Sequence, residues 1–510
     1  MELIKDNLHM NKSKGKMVFS ATVDEDFTIP EGKPGMDYKI KDMGEVCIEK
    51  VRPMEDRVSI GMCLYFGLLY NSGGNCQSYY GKANFEETAA MAGVTGQDIV
   101  RCKANLMDMK ISVISSHKIS VRAVVLVTVS AEEIYDREVI KKIEMDNVRD
   151  ERLVRMMKLI ANRKDTFRIR ESVNINQGMS NIGEIIWQEL RVKDLCFTPA
   201  DGRIDVKGNL SFFVIYQGEN GGELNYYDNV VPFSGSLDIS NGRQEDVYDI
   251  NIVSCEKSLI SRNDGNGETR IFDGEIIMSL DICGYRNEDV SLLTDIYAPG
   301  YEITPKTEKL EYERLVENKV VDIDINERIK NEDGGKIIYT CGDVIVDEII
   351  QKDNKIDIEG TISVQIMMED KEAMPPITVS HHDIPFSYQA GMDKYEKDSE
   401  LCGKVNNISL YSKRISDKEI SVNGTIKMEI MAKSTTTTPV VINADVEKVP
   451  KEKLKNIPGI TGYIVKEGDT LWNIAKRFYT TADSIMEANN LENDMIYPGM
   501  KLIILKLYCF

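Results

Sequence analysis

The chain has 510 residues, which is enough for three or four domains of ordinary size. Its 63 Lys and Arg residues against 83 Asp and Glu residues give a net charge of -20. This acidic balance disfavours nucleic-acid binding, because the phosphate backbone would repel the protein. The sequence has no apolar run of the roughly 20 residues that a transmembrane helix needs. Residues 1–16 also lack the apolar core of a secretory signal, so we expect neither a signal nor a transmembrane segment.

An internal repeat organises most of the chain. Three segments with apolar residues at nearly every second position start at Arg57, Arg203 and Lys355, so the copies lie 146 and 152 residues apart. Such sustained alternation is typical of a long strand with one face in a core. Each copy then carries one of the landmarks Asn84-Phe85, Pro232-Phe233 and Pro385-Phe386. A second alternating strand closes each copy, at 119–129, 272–280 and 420–430.

These patterns predict a mainly β protein with three tandem antiparallel β-rich repeat domains. The predicted ranges of the repeats are 19–131, 165–290 and 319–432. Residues 132–164 carry apolar side chains at helical spacing among charges, and we predict a helical linker there. The Thr- and Pro-rich segment 433–460 lacks periodicity, so we predict a second linker that follows the third repeat.

The C-terminal segment predicts a small α+β domain at 461–507, with the order strand, helix, helix, strand (βααβ). Its first helix has apolar residues at i, i+3, i+4 and i+7, namely Leu471, Ile474, Ala475 and Phe478. Asp469 is the predicted N-cap of this helix, and Thr481 is the predicted N-cap of the second. Residues 501–505 are predicted to close the domain as a strand.

Motifs for catalysis or cofactor binding do not occur in the sequence. It has neither a phosphate-binding P-loop nor a dinucleotide fingerprint, and it lacks the motifs of zinc proteases and serine hydrolases. The ten cysteines form no Cys-x-x-Cys pair, and there are only four histidines. We therefore predict a non-enzymatic protein with no catalytic residues, no metal site and no cofactor.

The C-terminal domain resembles a LysM module. The matching positions are Tyr463, Val465, Gly468, Asp469, Thr470, Leu471, Trp472, Ile474, Ala475, Phe478, Ile485, Asn489, Leu491, Pro498, Gly499, Leu502 and Ile504. LysM modules bind N-acetylglucosamine polymers such as peptidoglycan or chitin in a shallow groove between two loops. Carried over to this chain, the resemblance implies a groove lined by Gly468, Asp469, Thr470 and Leu471 on one side and by Met495, Ile496, Tyr497 and Pro498 on the other. Trp472 is expected in the core of the module.

The repeats resemble the SPOCS domain of spore-coat-associated proteins, on the basis of the segment 27–34, the long alternating strand and the Pro-Phe landmark. Tandem SPOCS domains that end in one LysM module resemble the SipL group of spore-coat morphogenetic proteins. Proteins of that group act in the mother cell and join the coat to the forespore surface. They do so through a coat-basement ATPase, stage IV sporulation protein A. The resemblance thus implies a cytoplasmic protein at the forespore surface, with this ATPase as its partner.

Two functions stay open at this point, and a third, a wall hydrolase that a LysM module targets, is disfavoured because the sequence has no catalytic motif. The first is a scaffold that recruits or anchors coat proteins at the forespore surface, with its LysM domain docked on the ATPase. The second is an anchor protein that binds peptidoglycan through the same groove. The expected lack of a secretory signal counts against the second function, because peptidoglycan lies outside the mother-cell cytoplasm.

Overall fold

The computed structural model of the protein describes residues 2–144, 149–330, 335–370, 374–394, 396, 399–416, 418–450, 452 and 458–506. Strands make up 77% of the structure and helices 4%, which confirms the prediction of a mainly β protein. The large β-rich part consists of three repeats with the same strand topology, and a small domain with two helices follows it. The prediction of three tandem antiparallel repeats and a βααβ domain is therefore confirmed.

Each repeat contains six strands. Repeat 1 has β1 (Glu2–Thr28), β2 (Tyr38–Met54), β3 (Arg57–Ser72), β4 (Asn75–Ala90), β5 (Ile99–Ser115) and β6 (Lys118–Glu144). Repeat 2 has β7 (Arg149–Asn174), β8 (Ile182–Ala200), β9 (Arg203–Gly218), β10 (Leu224–Asp238), β11 (Val247–Asn263) and β12 (Thr269–Tyr297), with a short 3-10 turn at Glu219–Gly221. Repeat 3 has β13 (Tyr301–Lys330), β14 (Lys336–Lys352), β15 (Lys355–Glu369), β16 (Ile377–Gly391), β17 (Glu400–Ser416) and β18 (Glu419–Lys448).

The six strands of a repeat form two three-stranded antiparallel sheets. The second, third and fourth strands form one sheet in chain order, which we call the meander sheet. The first, sixth and fifth strands form the other in that order, which we call the closing sheet because the last strand returns to pair with the first. The long alternating segments that start at Arg57, Arg203 and Lys355 are the central strands β3, β9 and β15 of the meander sheets. Their alternate side chains are buried between the two sheets, as the periodicity predicts.

The first and last strands of each repeat extend beyond these sheets as a two-stranded ribbon. In repeat 1 the pairing of β1 with β6 runs as far as Glu2 opposite Glu144. The ribbons of all three repeats pack together and share one apolar core. Its buried members are Met10, Val139, Val154, Met156, Leu292, Leu310, Tyr312 and Val440.

The helical linker predicted at 132–164 is wrong for the described residues, which belong to the ribbon strands β6 and β7. In these ribbons neighbouring side chains are buried on opposite faces. Val139 and Met156 lie in the shared ribbon core, whereas the next residues, Ile140 and Met157, lie in two other apolar clusters. Burial on both faces removes the alternation that identifies a strand, and the remaining apolar spacing imitates a helix. Residues 145–148 of the predicted linker lie outside the described residues.

The linker predicted at 433–460 is also wrong over residues 433–448, which form the second half of β18 and pair with β13. Threonine is β-branched and is favoured in strands, so the Thr-rich composition fits a strand as well as it fits a linker. Val440 and Val441 are both buried, again on opposite faces. Residues 451 and 453–457 of this segment lie outside the described part of the chain.

The outer faces of the three meander sheets meet in one cluster with approximate threefold symmetry. Leu69, Ile215 and Met367 occupy the same position in β3, β9 and β15, and all three belong to this cluster. The residues paired with them, one on each neighbouring strand, are Lys41, Trp187 and Tyr339. Equivalent positions of the three repeats therefore carry three different side chains where the repeats meet.

A buried ion pair connects the repeats at this cluster. Lys41 Nζ of repeat 1 lies 3.3 Å from Glu189 Oε1 of repeat 2, and each side chain is only 1% exposed. Glu189 also accepts hydrogen bonds from Trp187 Nε1 at 3.0 Å and from the Tyr339 hydroxyl at 3.4 Å. Burial opposes ionisation of Glu189, but the charges of Lys41 and Arg191 more than offset it and lower the pKa of this carboxyl to about 2.

The C-terminal domain consists of β19 (Ile460–Ile464), α1 (Leu471–Arg477), α2 (Ala482–Ala488) and β20 (Lys501–Leu505). The two strands pair antiparallel, with Ile460 opposite Leu505. Both helices pack over one face of this two-stranded sheet, and the core between the helices and the sheet contains Val465, Leu471, Ile474, Ala475, Ile485, Leu502 and Ile504. Among the described residues, no helix combines the length and the apolar character that are needed to cross a membrane.

Candidate functional site: the C-terminal groove and its surroundings

The first groove loop is held by side chains of its own residues. Thr470 is the N-cap of α1, because its side chain accepts the hydrogen bond from Asn473 N at 3.1 Å. The prediction of Asp469 as the N-cap is therefore wrong. The Asp469 carboxylate instead accepts hydrogen bonds from the backbone N–H of Lys466 at 2.8 Å and from the Tyr463 hydroxyl at 2.7 Å.

These contacts give Asp469 a structural role. The hydrogen bonds from the Lys466 backbone and from Tyr463 lower the pKa of the Asp469 carboxyl, because they stabilise its charged form. The same contact raises the pKa of the Tyr463 hydroxyl. Gly468, the residue before Asp469, has φ +82, a left-handed conformation that favours glycine. The sequence of this loop is thus explained by its backbone geometry whether or not it contacts a ligand.

The second groove loop is connected to the first through backbone hydrogen bonds. Val465 N donates to Met500 O at 2.9 Å, and Gly499 N donates to Val465 O at 2.8 Å. Gly499 is left-handed with φ +90, which is the conformation that the Pro498-Gly499 turn requires. These bonds place the bases of the two loops side by side at one end of the β19–β20 sheet.

The eight predicted groove residues differ in how accessible they are. Gly468, Thr470, Met495, Tyr497 and Pro498 are exposed, and Asp469 is half-buried. Met495 is 74% exposed and Tyr497 is 66% exposed, which makes them the largest accessible side chains of the predicted site. Leu471 is buried in the domain core, and Ile496 packs against the same core. The side chains of Leu471 and Ile496 therefore anchor the two loops to the domain core.

A second accessible surface lies on the outer face of the two-stranded β19–β20 sheet. Its apolar side chains are exposed to between 41% and 69% of their area, and they are Ile460, Ile464, Ile503 and Leu505. The alternate residues of the same strands face the domain core, so the outward set follows from the strand period of two. We call these four residues the outer sheet face. The resemblance to LysM modules pointed to the loops and did not identify it.

The C-terminal domain contacts the ribbons of the repeats through α1. Trp472 Nε1 donates to Asp295 Oδ2 of β12 at 2.9 Å, and Lys476 Nζ lies 2.8 Å from Asp295 Oδ1. The Trp472 ring also meets Tyr297 edge to face, with the ring centroids 4.7 Å apart. Trp472 is thus half-buried between its own domain and repeat 2. Sequence reasoning missed Asp295, which precedes Trp472 by 177 residues and carries no local signal.

The described part of the chain holds no group of three or more His, Cys, Asp or Glu side chains that could bind a metal ion. The nine described cysteines are all free thiols, and six of them are buried. Burial raises the pKa of the Cys76 and Cys102 thiols to about 12, which leaves both protonated and unreactive at neutral pH.

Two protein families match parts of the chain. The LysM domain model matches residues 463–505, and the model described as "SipL, SPOCS domain" matches residues 38–114 and 181–256. The first SPOCS segment covers β2 to β5 of repeat 1, and the second covers β8 to β10 of repeat 2 and ends within β11. Repeat 3 has the same topology but lies outside the matched segments. The order of the matches is that of the SipL-type architecture.

Similar curated proteins match only the LysM part. A probable N-acetylmuramidase of Lactococcus lactis subsp. cremoris is 48% identical over 44 residues, which are 9% of this chain and 10% of that protein. A probable endopeptidase p60 of Listeria monocytogenes is 56% identical over 39 residues, 8% of either chain. The uncharacterized protein YkzQ of Bacillus subtilis is 51% identical over 37 residues, 7% of this chain and 49% of that protein. No solved structure matches.

Proposed function

Because this chain has a SipL-type architecture, with SPOCS domains ahead of a C-terminal LysM domain, we propose that it is a non-enzymatic morphogenetic scaffold of the spore envelope. It recruits or anchors coat proteins at the forespore surface and acts in the mother-cell cytoplasm. We extend the SPOCS assignment to repeat 3, because its two sheets have the strand order of repeats 1 and 2. The LysM domain docks a coat-basement ATPase of the stage IV sporulation protein A type.

The observation that carries the proposal of a protein partner is the outer sheet face. Four aliphatic side chains in one contiguous two-stranded sheet are exposed, and Ile460 alone is 69% exposed. Exposed apolar patches on otherwise polar surfaces mark protein contact sites. Aliphatic side chains offer no hydrogen bonds to the hydroxyl and acetamido groups of a sugar polymer, whereas they gain from desolvation against an apolar protein surface.

Met495 and Tyr497 add to this proposal at the groove. Both side chains are large, apolar in most of their surface and highly exposed, and residues of these types are enriched in protein interfaces. Tyrosine also stacks on sugar rings, so the groove alone fits either partner. The matched relatives are named as a probable N-acetylmuramidase and a probable endopeptidase, and their similarity to this chain ends with the LysM domain.

Binding of the full chain to the purified ATPase and to purified peptidoglycan tests the proposal. Ile503→Lys places a charge in the outer sheet face, Tyr497→Ala removes the main groove side chain, and Glu487→Gln on the exposed side of α2 is the matched control. We expect Ile503→Lys to abolish capture of the ATPase, Tyr497→Ala to weaken it, and Glu487→Gln to leave it unchanged. Strong binding to peptidoglycan without capture of the ATPase would overturn the proposal. If Ile503→Lys and Tyr497→Ala both capture the ATPase as well as the wild type does, the LysM domain does not form this contact.

A further inference from the structure

The three repeats differ at one edge of their meander sheets. The edge strands β4, β10 and β16 each pair with a central strand on one side only. Pro232 of β10 lies opposite Asn209, and Pro385 of β16 lies opposite Thr361, which is the same position of the central strand. The equivalent residue of β4 is Asn84, opposite Cys63. A proline has no N–H, so it obstructs the addition of another strand at the middle of β10 and β16. Repeat 1 lacks this obstruction.

The backbone groups at Asn84 point away from β3. The hairpin between β3 and β4 turns through Gly73 and Gly74, both with positive φ, and its flanking pair is Ser72 opposite Asn75. In such a two-residue turn the flanking pair is hydrogen-bonded, so the odd-numbered residues of β4 bond to β3 and the even-numbered ones face outward. The Ser78 carbonyl agrees with this parity, since it accepts a hydrogen bond from Lys33 Nζ at 2.5 Å instead of from β3.

The side chains around Asn84 are complementary to a second copy of themselves. Lys82, Asn84 and Glu86 are exposed on the same face of β4, and their N–H and C=O groups all face the open edge. If two such strands pair antiparallel with Asn84 opposite Asn84, Lys82 of each copy lies opposite Glu86 of the other. Opposite charges in directly facing positions stabilise an antiparallel pair.

We propose that β4 is a self-association edge, through which two copies of the protein join in an antiparallel pair centred on Asn84. The two meander sheets then form one continuous six-stranded sheet related by a twofold axis. This inference goes beyond the proposed function, because it concerns the assembly of the scaffold with itself. A dimer of this kind carries two LysM domains and contacts its partners bivalently.

Charge complementarity favours a second copy over a strand from another protein. The residues equivalent to Lys82 and Glu86 are Val230 and Ser234 in β10 and Asp383 and Ser387 in β16, so neither of those edges carries an opposite-charge pair. The open backbone and the self-complementary charges therefore coincide only in repeat 1. The Ser59 hydroxyl donates a hydrogen bond to Glu86, which holds this carboxylate over the exposed face of the sheet.

Sedimentation of the full chain over a range of concentrations tests the proposal. The first variant is Asn84→Pro, which copies the residue that β10 and β16 tolerate at the same position and is therefore expected to fold. We expect the wild type to dimerise and Asn84→Pro to stay monomeric with an unchanged circular dichroism spectrum. A wild type that sediments as a monomer at every concentration, or an Asn84→Pro variant that still dimerises, would overturn the proposal.

Charge reversal tests the register of the pair independently of the proline. Lys82→Glu places like charges opposite each other twice in the dimer, and we expect it to raise the dimer Kd about tenfold or more. The double variant Lys82→Glu with Glu86→Lys restores both opposite-charge pairs and should return the Kd to within about threefold of the wild type. Val230→Glu is the matched control in repeat 2 and should leave the Kd unchanged. A double variant as weak as the single one would exclude this register.

Discussion

The buried carboxylate at the centre of the three repeats leads to a measurable dependence of stability on pH. Glu189→Gln keeps the shape of the side chain but removes its charge, and leaves Lys41 buried without its counterion. Breaking a buried ion pair by removing one partner costs about 3–5 kcal/mol. The pKa of Glu189 gives a similar figure. A carboxyl whose pKa falls from 4.5 to about 2 on folding contributes about 3 kcal/mol to the free energy of unfolding at neutral pH.

The sign follows from a folded pKa that lies below the unfolded one. The contribution of Glu189 is fully present above pH 4.5 and is lost as the pH falls from 4.5 towards 2. We therefore expect Glu189→Gln to be less stable than the wild type by about 3–5 kcal/mol at pH 7. This difference should narrow by about 2 kcal/mol between pH 7 and pH 3.

Urea unfolding followed by the fluorescence of Trp187 measures the stability difference at pH 7 and its decrease towards pH 3. The protein has two tryptophans, so the comparison is made in a Trp472→Phe background, where Trp187 is the remaining reporter. Its indole donates directly to Glu189 and is fully buried, so its emission follows this part of the structure. Glu184→Gln, at an exposed position of the same strand, is the control and should behave as the wild type. Equal stability of Glu189→Gln and wild type at pH 7, or a difference between them that stays constant down to pH 3, would refute the reasoning.

Three further predictions concern the LysM domain. Asp295→Asn removes the partner of Lys476 and weakens the acceptor of Trp472, so we expect Trp472 emission to shift to longer wavelength; an unchanged spectrum would contradict this contact. Thr481→Ala removes the N-cap of α2 and should lower the free energy of unfolding of the domain by about 1 kcal/mol in thermal denaturation, whereas Thr481→Ser should preserve it. In Gly468→Ala no atom lies close enough to clash with the new Cβ. We expect the free energy of unfolding to fall by about 1 kcal/mol because of the positive φ alone. A Gly468→Ala variant as stable as the wild type would show that the loop adopts another backbone conformation.

The sequence predicts those strands in which apolar residues alternate over a long run, although the second face of β3, β9 and β15 also becomes buried where the repeats meet. The strands β3, β9 and β15 follow from their alternation, and their spacing already identifies three copies. The two LysM helices follow from apolar spacing and from Thr481, which does cap α2 as predicted. In each case the local pattern and the final environment of the residues agree.

The ribbons could not be predicted because their environment is not local. Val139 and Ile140 are both buried only because ribbons from other repeats cover both faces of β6. The same holds for the contact of Trp472 with Asp295 and for Lys41 with Glu189, whose partners lie more than a hundred residues away. In the groove, the family pattern identifies the loops, but the role of Asp469 becomes visible only through its hydrogen bonds to Tyr463 and Lys466.

The pairing of the first strand of each repeat with its last strand also sets the order in which the protein can fold during synthesis. Glu2 pairs with Glu144, so β1 leaves the ribosome long before its partner β6 exists. At about 5–20 residues per second, the intervening chain takes roughly 7–30 s to make. The same delay separates β7 from its partner β12 and β13 from its partner β18. The shared ribbon core is complete only when β18 has been made. During translation the apolar residues of the unpaired strands are therefore accessible to factors that bind nascent chains. Repeat 1 is synthesised first, so its apolar residues stay accessible for the longest time.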